Sequence, residues 1–263
     1  MASEHAAAGG NDWRDYLLAV SVALGLAAGG FLFAQLLAVP LTLGLLALDL
    51  PIEGAVSYTL TTLLQGAAFV SFILGYMRYS DSPRLLDIRW PSLSRPRRTL
   101  RDIGWVVVGF VVLLLAAQGV SLVLDQFGFA PGTNRIESAA RAQPLLALSL
   151  VVLSFVATGP GEETLFRGGV QGVLRRVFSP AGAVVGSSAL FGLAHVTALV
   201  AASGAAGVWG YVVSTFVLGL VLGTLYEYTD NLLVPIIVHG GYNALLFAQL
   251  YLVETSGLGF LSP

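Results

Sequence analysis

Residues 144–167 read PLLALSLVVLSFVATGPGEETLFR, and this stretch decides the class of fold. Its first eighteen residues carry no charge, and about 20 predominantly apolar residues let a helix cross the hydrocarbon core of a bilayer. Two adjacent acids, Glu162 and Glu163, and the basic Arg167 follow directly. The stretch therefore predicts a membrane helix that carries ionisable side chains.

Apolar windows of the same size recur along almost the whole chain of 263 residues. The composition is 56% hydrophobic and only 11% charged, whereas a soluble domain averages about 25% charged residues. We therefore predict an all-α polytopic bundle of seven transmembrane spans, near residues 16–38, 55–77, 103–124, 144–163, 181–200, 208–226 and 232–253. Segment 41–48 follows Pro40 and is either a continuation of the first span or a re-entrant piece, which leaves a count of eight open.

The charge distribution predicts the orientation of these spans. Seven of the thirteen basic residues, all arginines, lie in loop 78–101, and basic loops stay on the cytoplasmic side. We therefore expect the loop and the N-terminus to be cytoplasmic, although Arg135 and Arg141 on the other side disagree mildly. We interpret the basic loop as a topology or lipid signal and expect no nucleic-acid partner. The absence of cysteine excludes disulfides and thiolate metal sites.

Ionisable side chains within spans cost about 2.5–3.5 kcal/mol each on insertion scales, so each is a functional hypothesis. Here the polar side chains concentrate on three predicted spans, as Glu162, Glu163 and Arg167, then His195, then His239 and Asn243. Convergence of one acid pair, two histidines and one amide favours a catalytic site over isolated packing roles.

Spacing assigns roles to the residues on the fourth span. Glu163 and Arg167 lie four residues apart, the spacing of a pair on one helix face. We interpret them as a supporting clamp that orients Glu162. Glu162 lies about 100° around the helix from Glu163, so it is the better candidate for a general base, and His195 is placed to share the proton of an activated water.

The last span supplies candidate donors. His239 and Asn243 share a helix face and are predicted to stabilise an oxyanion. Phe191, one turn before His195, is interpreted as a packing aromatic that shapes the pocket. This set suits attack of water on an amide or ester carbonyl.

Three alternatives remain open at this point. Glu162, His195 and His239 would also form a catalytic zinc shell with one open position, although the HExxH signature is absent. Ser188 shares a face with His195 but has no nucleophile elbow around it. The same polar cluster would also serve a non-enzymatic scaffold or a proton-coupled carrier.

The motifs resemble those of the CPBP intramembrane proteases, which include the type II CAAX prenyl endopeptidases and proteins formerly assigned to an abortive-infection family. The family pattern of Glu-Glu-x-x-x-Arg, Phe-x-x-x-His and His-x-x-x-Asn is matched, in order, at Glu162-Glu163-x-x-x-Arg167, Phe191-x-x-x-His195 and His239-x-x-x-Asn243. The resemblance covers about residues 144–253.

The resemblance implies an intramembrane endopeptidase with a four-helix catalytic core. It implies that Glu162 activates water with His195, that His239 and Asn243 form the oxyanion hole, that no cofactor is used, and that the cavity opens to the cytoplasm. We expect a prokaryotic plasma-membrane protein acting on a membrane-associated or lipidated peptide. The chain then divides into a polar tail (1–15), N-terminal membrane helices (16–143), catalytic helices (144–253) and a C-terminal tail (254–263).

Overall fold

The computed structural model describes residues 12–80, 86–199 and 204–256. Most of the predicted N-terminal tail, part of the basic loop and most of the C-terminal tail therefore lie outside the described residues. Seven helices in the described part are long and apolar enough to span a membrane, which confirms the predicted all-α bundle. In chain order, with one short helix α4, they are α1 Trp13–Ala47, α2 Ala55–Tyr79, α3 Pro96–Gln126, α4 Arg135–Ala142, α5 Pro144–Leu174, α6 Pro180–Ala194, α7 Gly204–Thr229 and α8 Leu233–Ser256.

Helix α1 begins with a capping box and passes through a proline. The Asp12 carboxylate accepts hydrogen bonds from the first-turn amides, while Asp15 bonds back to the Asp12 amide. Helix α1 continues through Pro40 to Ala47. Segment 41–48 is thus a continuation of the first span, and the re-entrant and eight-span alternatives are wrong.

Helix α5 extends further than the sequence indicated. The predicted span 144–163 stopped at the two acids, but the helix runs on to Leu174, so Glu162 lies inside the helix and not at its end. Two π-helical segments, Ser154–Thr158 and Thr164–Gln171, flank the turn Gly159–Glu163. Local π geometry lets a membrane helix accommodate Gly and Pro because it supplies new partners for the freed backbone groups.

Close helix contacts place α5 at the centre of the bundle. A Cβ atom on Gly161 would lie 2.7 Å from the Cα of Gly66 on α2, and one on Gly240 of α8 would lie 2.8 Å from the Ser154 carbonyl oxygen. Glycine at these positions therefore lets α2 and α8 approach the α5 backbone. A buried apolar cluster joins α1, α2 and α5 through Leu26, Phe69, Ile73, Leu165, Phe166 and Val170.

The basic loop is fixed to the turn between α7 and α8. The Asn231 side chain accepts a hydrogen bond from the Arg89 amide (2.8 Å) and donates to the Arg89 carbonyl oxygen (3.1 Å) and to Asp102 (3.0 Å). The Arg89 guanidinium also donates to the carbonyl oxygen of Thr229. These contacts bring the loop, the start of α3 and the start of α8 to one end of the bundle.

We predict that Gly66→Ala destabilises the protein, because the added Cβ would lie 2.5 Å from the Ala157 carbonyl oxygen. Overpacking of this kind costs about 1–3 kcal/mol. Gly75→Ala on the same helix is the matched control, since its Cβ would meet no atom within 4 Å. Thermal unfolding in detergent measures both variants, and equal unfolding temperatures would contradict the assigned contact.

Candidate active site

Three helices bring the predicted residues together. Glu162, Glu163 and Arg167 lie on α5, His195 follows directly after α6 in a short 3₁₀ turn, and His239 lies on α8. π-helical segments occur frequently at functional sites, and two of them flank the acid pair in α5. Helix geometry on α5 thus orients Glu162 and Glu163 toward different neighbours.

Glu163 is a bridge between helices. One carboxylate oxygen, Oε1, accepts hydrogen bonds from Arg167 Nη1 (3.1 Å) and His239 Nδ1 (2.7 Å). Arg167 also donates through Nη2 to the carbonyl oxygen of Gly219 on α7 (3.1 Å). Glu163 and Arg167 are fully buried, so this network ties α5, α7 and α8 together in the interior. The clamp therefore orients His239, whereas the sequence suggested that it orients Glu162.

Phe191 lies between the charged and the imidazole groups. The Arg167 guanidinium carbon is 4.5 Å from the centroid of its ring. The same ring meets His195 at 4.5 Å and His239 at 5.9 Å between centroids, both edge to face. Phe191 thus packs against three predicted site residues.

Glu162 faces both imidazoles. Its Oε2 atom lies 3.8 Å from His195 Nε2 and 3.9 Å from His239 Nε2, and it has no hydrogen-bond partner among the described residues. These distances exceed a direct hydrogen bond but suit a bridging water. The Glu162 and His195 side chains are 15% and 17% exposed, whereas Glu163 is fully buried, so Glu162 is the partly exposed member of the acid pair, with its Oε2 atom on the buried side.

The hydrogen bonds of the two rings assign their tautomers. His195 Nδ1 donates to the Phe191 carbonyl oxygen at 2.7 Å, and His239 Nδ1 donates to Glu163. Carbonyl and carboxylate oxygens only accept, so each Nδ1 carries a proton. The other ring nitrogen of each histidine, Nε2, faces Glu162.

Asn243 follows His239 by one turn on α8 and is half-buried. Its side chain forms no hydrogen bond within the described part of the chain, which leaves its amide available.

Sequence reasoning missed Tyr211, whose ring lies 6.0 Å from that of His195 and whose hydroxyl accepts a hydrogen bond from the Asn134 side chain at 3.0 Å. A phenol hydroxyl within the predicted span 208–226 was a weak signal for it, because Tyr226 carries the same group in the same span.

The structure also bears on the alternative nucleophile and on metal binding. Ser188 is buried and its hydroxyl donates to the Val184 carbonyl oxygen at 2.7 Å, so it is engaged in its own helix. Across residues 12–80, 86–199 and 204–256, no three His, Cys, Asp or Glu side chains form a group that could hold a metal ion.

Comparison with known protein families identifies the family that the segment carrying the site resembles. Residues 144–245 match the Rce1-like family, described as type II CAAX prenyl endopeptidase Rce1-like. Residues 144–245 belong to the Rce1-like family. The matched segment contains all seven predicted site residues, and it confirms the family resemblance that the motifs indicated. No curated protein and no solved structure gives a significant match to the chain.

The Rce1-like family is a family of proteases, so the segment from α5 to α8 is a domain of peptidase type. Together with the seven apolar helices, this makes the chain an integral membrane protein with a CAAX-protease-type domain. The N-terminal helices α1 and α2 lie outside the matched segment but pack directly against α5.

We predict that Arg167→Met lowers the free energy of unfolding by about 3–5 kcal/mol, because it leaves the buried Glu163 charge without its guanidinium partner. The matched control is Arg141→Met. Arg141 pairs with Glu137 at the same four-residue spacing, with 2.9 Å between Nη2 and Oε1, but this pair is exposed. Exposed pairs contribute about 0–1 kcal/mol. Unfolding in detergent measures both variants, and similar losses would refute the structural role given to Arg167.

Proposed function

We propose that the protein is an intramembrane endopeptidase in which Glu162 activates the water that cleaves a peptide bond of a membrane-associated or lipidated substrate. The observation that carries this proposal is the position of Glu162 Oε2, within 4 Å of two imidazole Nε2 atoms and without a direct partner among the described residues. A water at this point would touch one carboxylate and two nitrogens.

In the first step Glu162 acts as the general base. It takes one proton of the water, while His195 Nε2 accepts a hydrogen bond from the other O–H group and holds the oxygen in place. His195 suits this role because its Nδ1 proton is bound to the Phe191 carbonyl oxygen, which keeps Nε2 free as an acceptor. The water oxygen then attacks the scissile carbonyl carbon.

In the second step the oxyanion needs donors. When His239 carries both ring protons, Nδ1–H is bound to Glu163 and Nε2–H is free to donate toward the oxyanion. Charge balance supports this state, because Glu162 and Glu163 then face two cations, His239 and Arg167, and buried charges are stable only when they are paired. Asn243, one turn further along α8, is the second proposed donor.

The reaction ends by breaking the carbon–nitrogen bond. The protonated Glu162 returns its proton to the leaving amine nitrogen, the tetrahedral intermediate collapses to a carboxylic acid, and Glu162 is again a carboxylate. This sequence balances protons without a cofactor.

The proposed orientation is the one that the arginines indicate, with the basic loop and the active-site opening on the cytoplasmic side. Supporting it, loop residue Arg89 and the turn before α8 are joined at one end of the bundle. Arg135 and Arg141 lie on the opposite side, but the seven arginines of loop 78–101 outnumber them.

We predict that Glu162→Gln reduces cleavage of a library of membrane-anchored and lipidated peptides by about 10²–10⁴-fold, the usual contribution of a general base. Glu53→Gln, at an exposed position between α1 and α2, is the control and should retain full activity. Unfolding temperatures should be equal for both variants. Full cleavage by Glu162→Gln would overturn the mechanism.

The protein reconstituted into proteoliposomes tests the carrier alternative. A proton carrier predicts pH-driven flux that depends on Glu162, whereas the protease proposal predicts peptide cleavage without such flux. Flux in the absence of cleavage of any peptide in the library would replace the protease proposal by the carrier.

We predict that chelators leave cleavage unchanged and that elemental analysis of active protein finds less than stoichiometric zinc. The three candidate zinc ligands, Glu162, His195 and His239, each have a role in proton transfer or hydrogen bonding in the metal-free mechanism. Stoichiometric zinc whose removal abolishes cleavage, and whose return restores it, would establish the zinc-dependent alternative instead.

A further inference from the structure

A cleft of about 430 Å³ lies where the basic loop meets the ends of two membrane helices. Its walls come from loop residues 89–95, from the first turns of α3 and from the first turns of α8. None of the residues assigned to catalysis lines it. Ile237, which does, lies about 200° around α8 from His239, so the cleft opens on the opposite face of that helix.

The polar end of this cleft carries two free cations. Arg95 and Arg98 both line it, and neither forms an ion pair or a side-chain hydrogen bond with any described residue. The other charged groups are already paired, since Arg89 pairs with Asp230 at 3.3 Å and Asp102 pairs with Arg101 at 3.5 Å. The unbalanced charge at the mouth of the cleft is therefore positive.

The floor of the cleft is apolar and continues along α3. Ile103 and Val106 follow Arg98 on this helix, and Val234 and Ile237 face them from α8. Because α3 runs from the basic loop into the membrane, a ligand with its charged group at Arg98 would extend its apolar part toward the hydrocarbon core. The shape and polarity thus match an amphiphile.

The surroundings of the cleft indicate the depth at which it lies. Loop residues Ile88, Trp90 and Leu93 are exposed, Leu93 almost completely at 99%. Apolar side chains exposed beside arginines are costly in water, but tryptophan and basic residues are both typical of the membrane interface. The cleft is therefore at the level of lipid headgroups.

We propose that this cleft binds one anionic phospholipid of the surrounding leaflet. Arg95 and Arg98 hold the phosphate, and one acyl chain lies over Ile103, Val106 and Ile237. The bound lipid would link the basic loop to the starts of α3 and α8. This site is separate from catalysis, and its binding is measured without any cleavage assay, so its failure leaves the proposed protease function untouched.

The test measures binding of dihexanoyl phosphatidylglycerol to the full chain in non-ionic detergent by titration calorimetry. We expect one site per chain and tighter binding than for zwitterionic dihexanoyl phosphatidylcholine. The double variant Arg95→Gln, Arg98→Gln should bind at least about tenfold more weakly. Arg78→Gln, Arg97→Gln is the control, because it removes the same charge from two exposed positions that do not line the cleft, and it should stay within about twofold of the original.

Two further arms separate a lipid from its headgroup. Glycerol phosphate alone should bind far more weakly than the lipid, and Ile103→Asn should weaken lipid binding while Val107→Asn, next to the cleft's lining, should not. Equal losses in the two arginine double variants would overturn the proposal in favour of unspecific surface charge. Glycerol phosphate binding as tightly as the lipid, or phosphatidylcholine binding as tightly as phosphatidylglycerol, would also overturn it.

Discussion

One buried carboxylate holds the site together. Glu163 Oε1 accepts from Arg167 on its own helix and from His239 on α8, and Arg167 reaches the backbone of α7. A charged group in the interior of a membrane protein is stable only with such partners. The position of His239, and with it the geometry around Glu162, depends on this interaction.

The two adjacent acids have separate environments because α5 turns by about 100° between them. Glu163 points into the bundle, where its Oε1 atom has two partners, whereas Glu162 points toward the two Nε2 atoms and is partly exposed. The close approach of α2 and α8 to α5 at glycines brings the helices near enough for these contacts. Packing and chemistry thus rely on the same turn of α5, from Gly159 to Glu163.

Much of the architecture was predictable. The seven spans follow from the length of their apolar windows, because the bilayer requires about 20 apolar residues for each crossing. The errors fell where local signals mislead: Pro40 left an interruption of the first span open and the two acids ended the predicted fourth span, yet α1 and α5 continue through them. In α5, π-helical turns lie on both sides of Gly159–Glu163 and supply partners for the backbone, while Glu163 is paired with His239 of α8. The contact with α8 is a tertiary effect that a window of sequence does not contain.

The sequence by itself determined the class of fold, the family of residues 144–245 and which side chains carry charge within the membrane, because hydropathy and motif spacing are local properties. Only the tertiary structure decided which partner each side chain has. It joined Glu163 to His239 across 76 positions, brought Tyr211 beside His195, and set Arg95 and Arg98 above an apolar cleft. These contacts arise from the packing of helices that are distant in the chain, so no spacing along one helix encodes them.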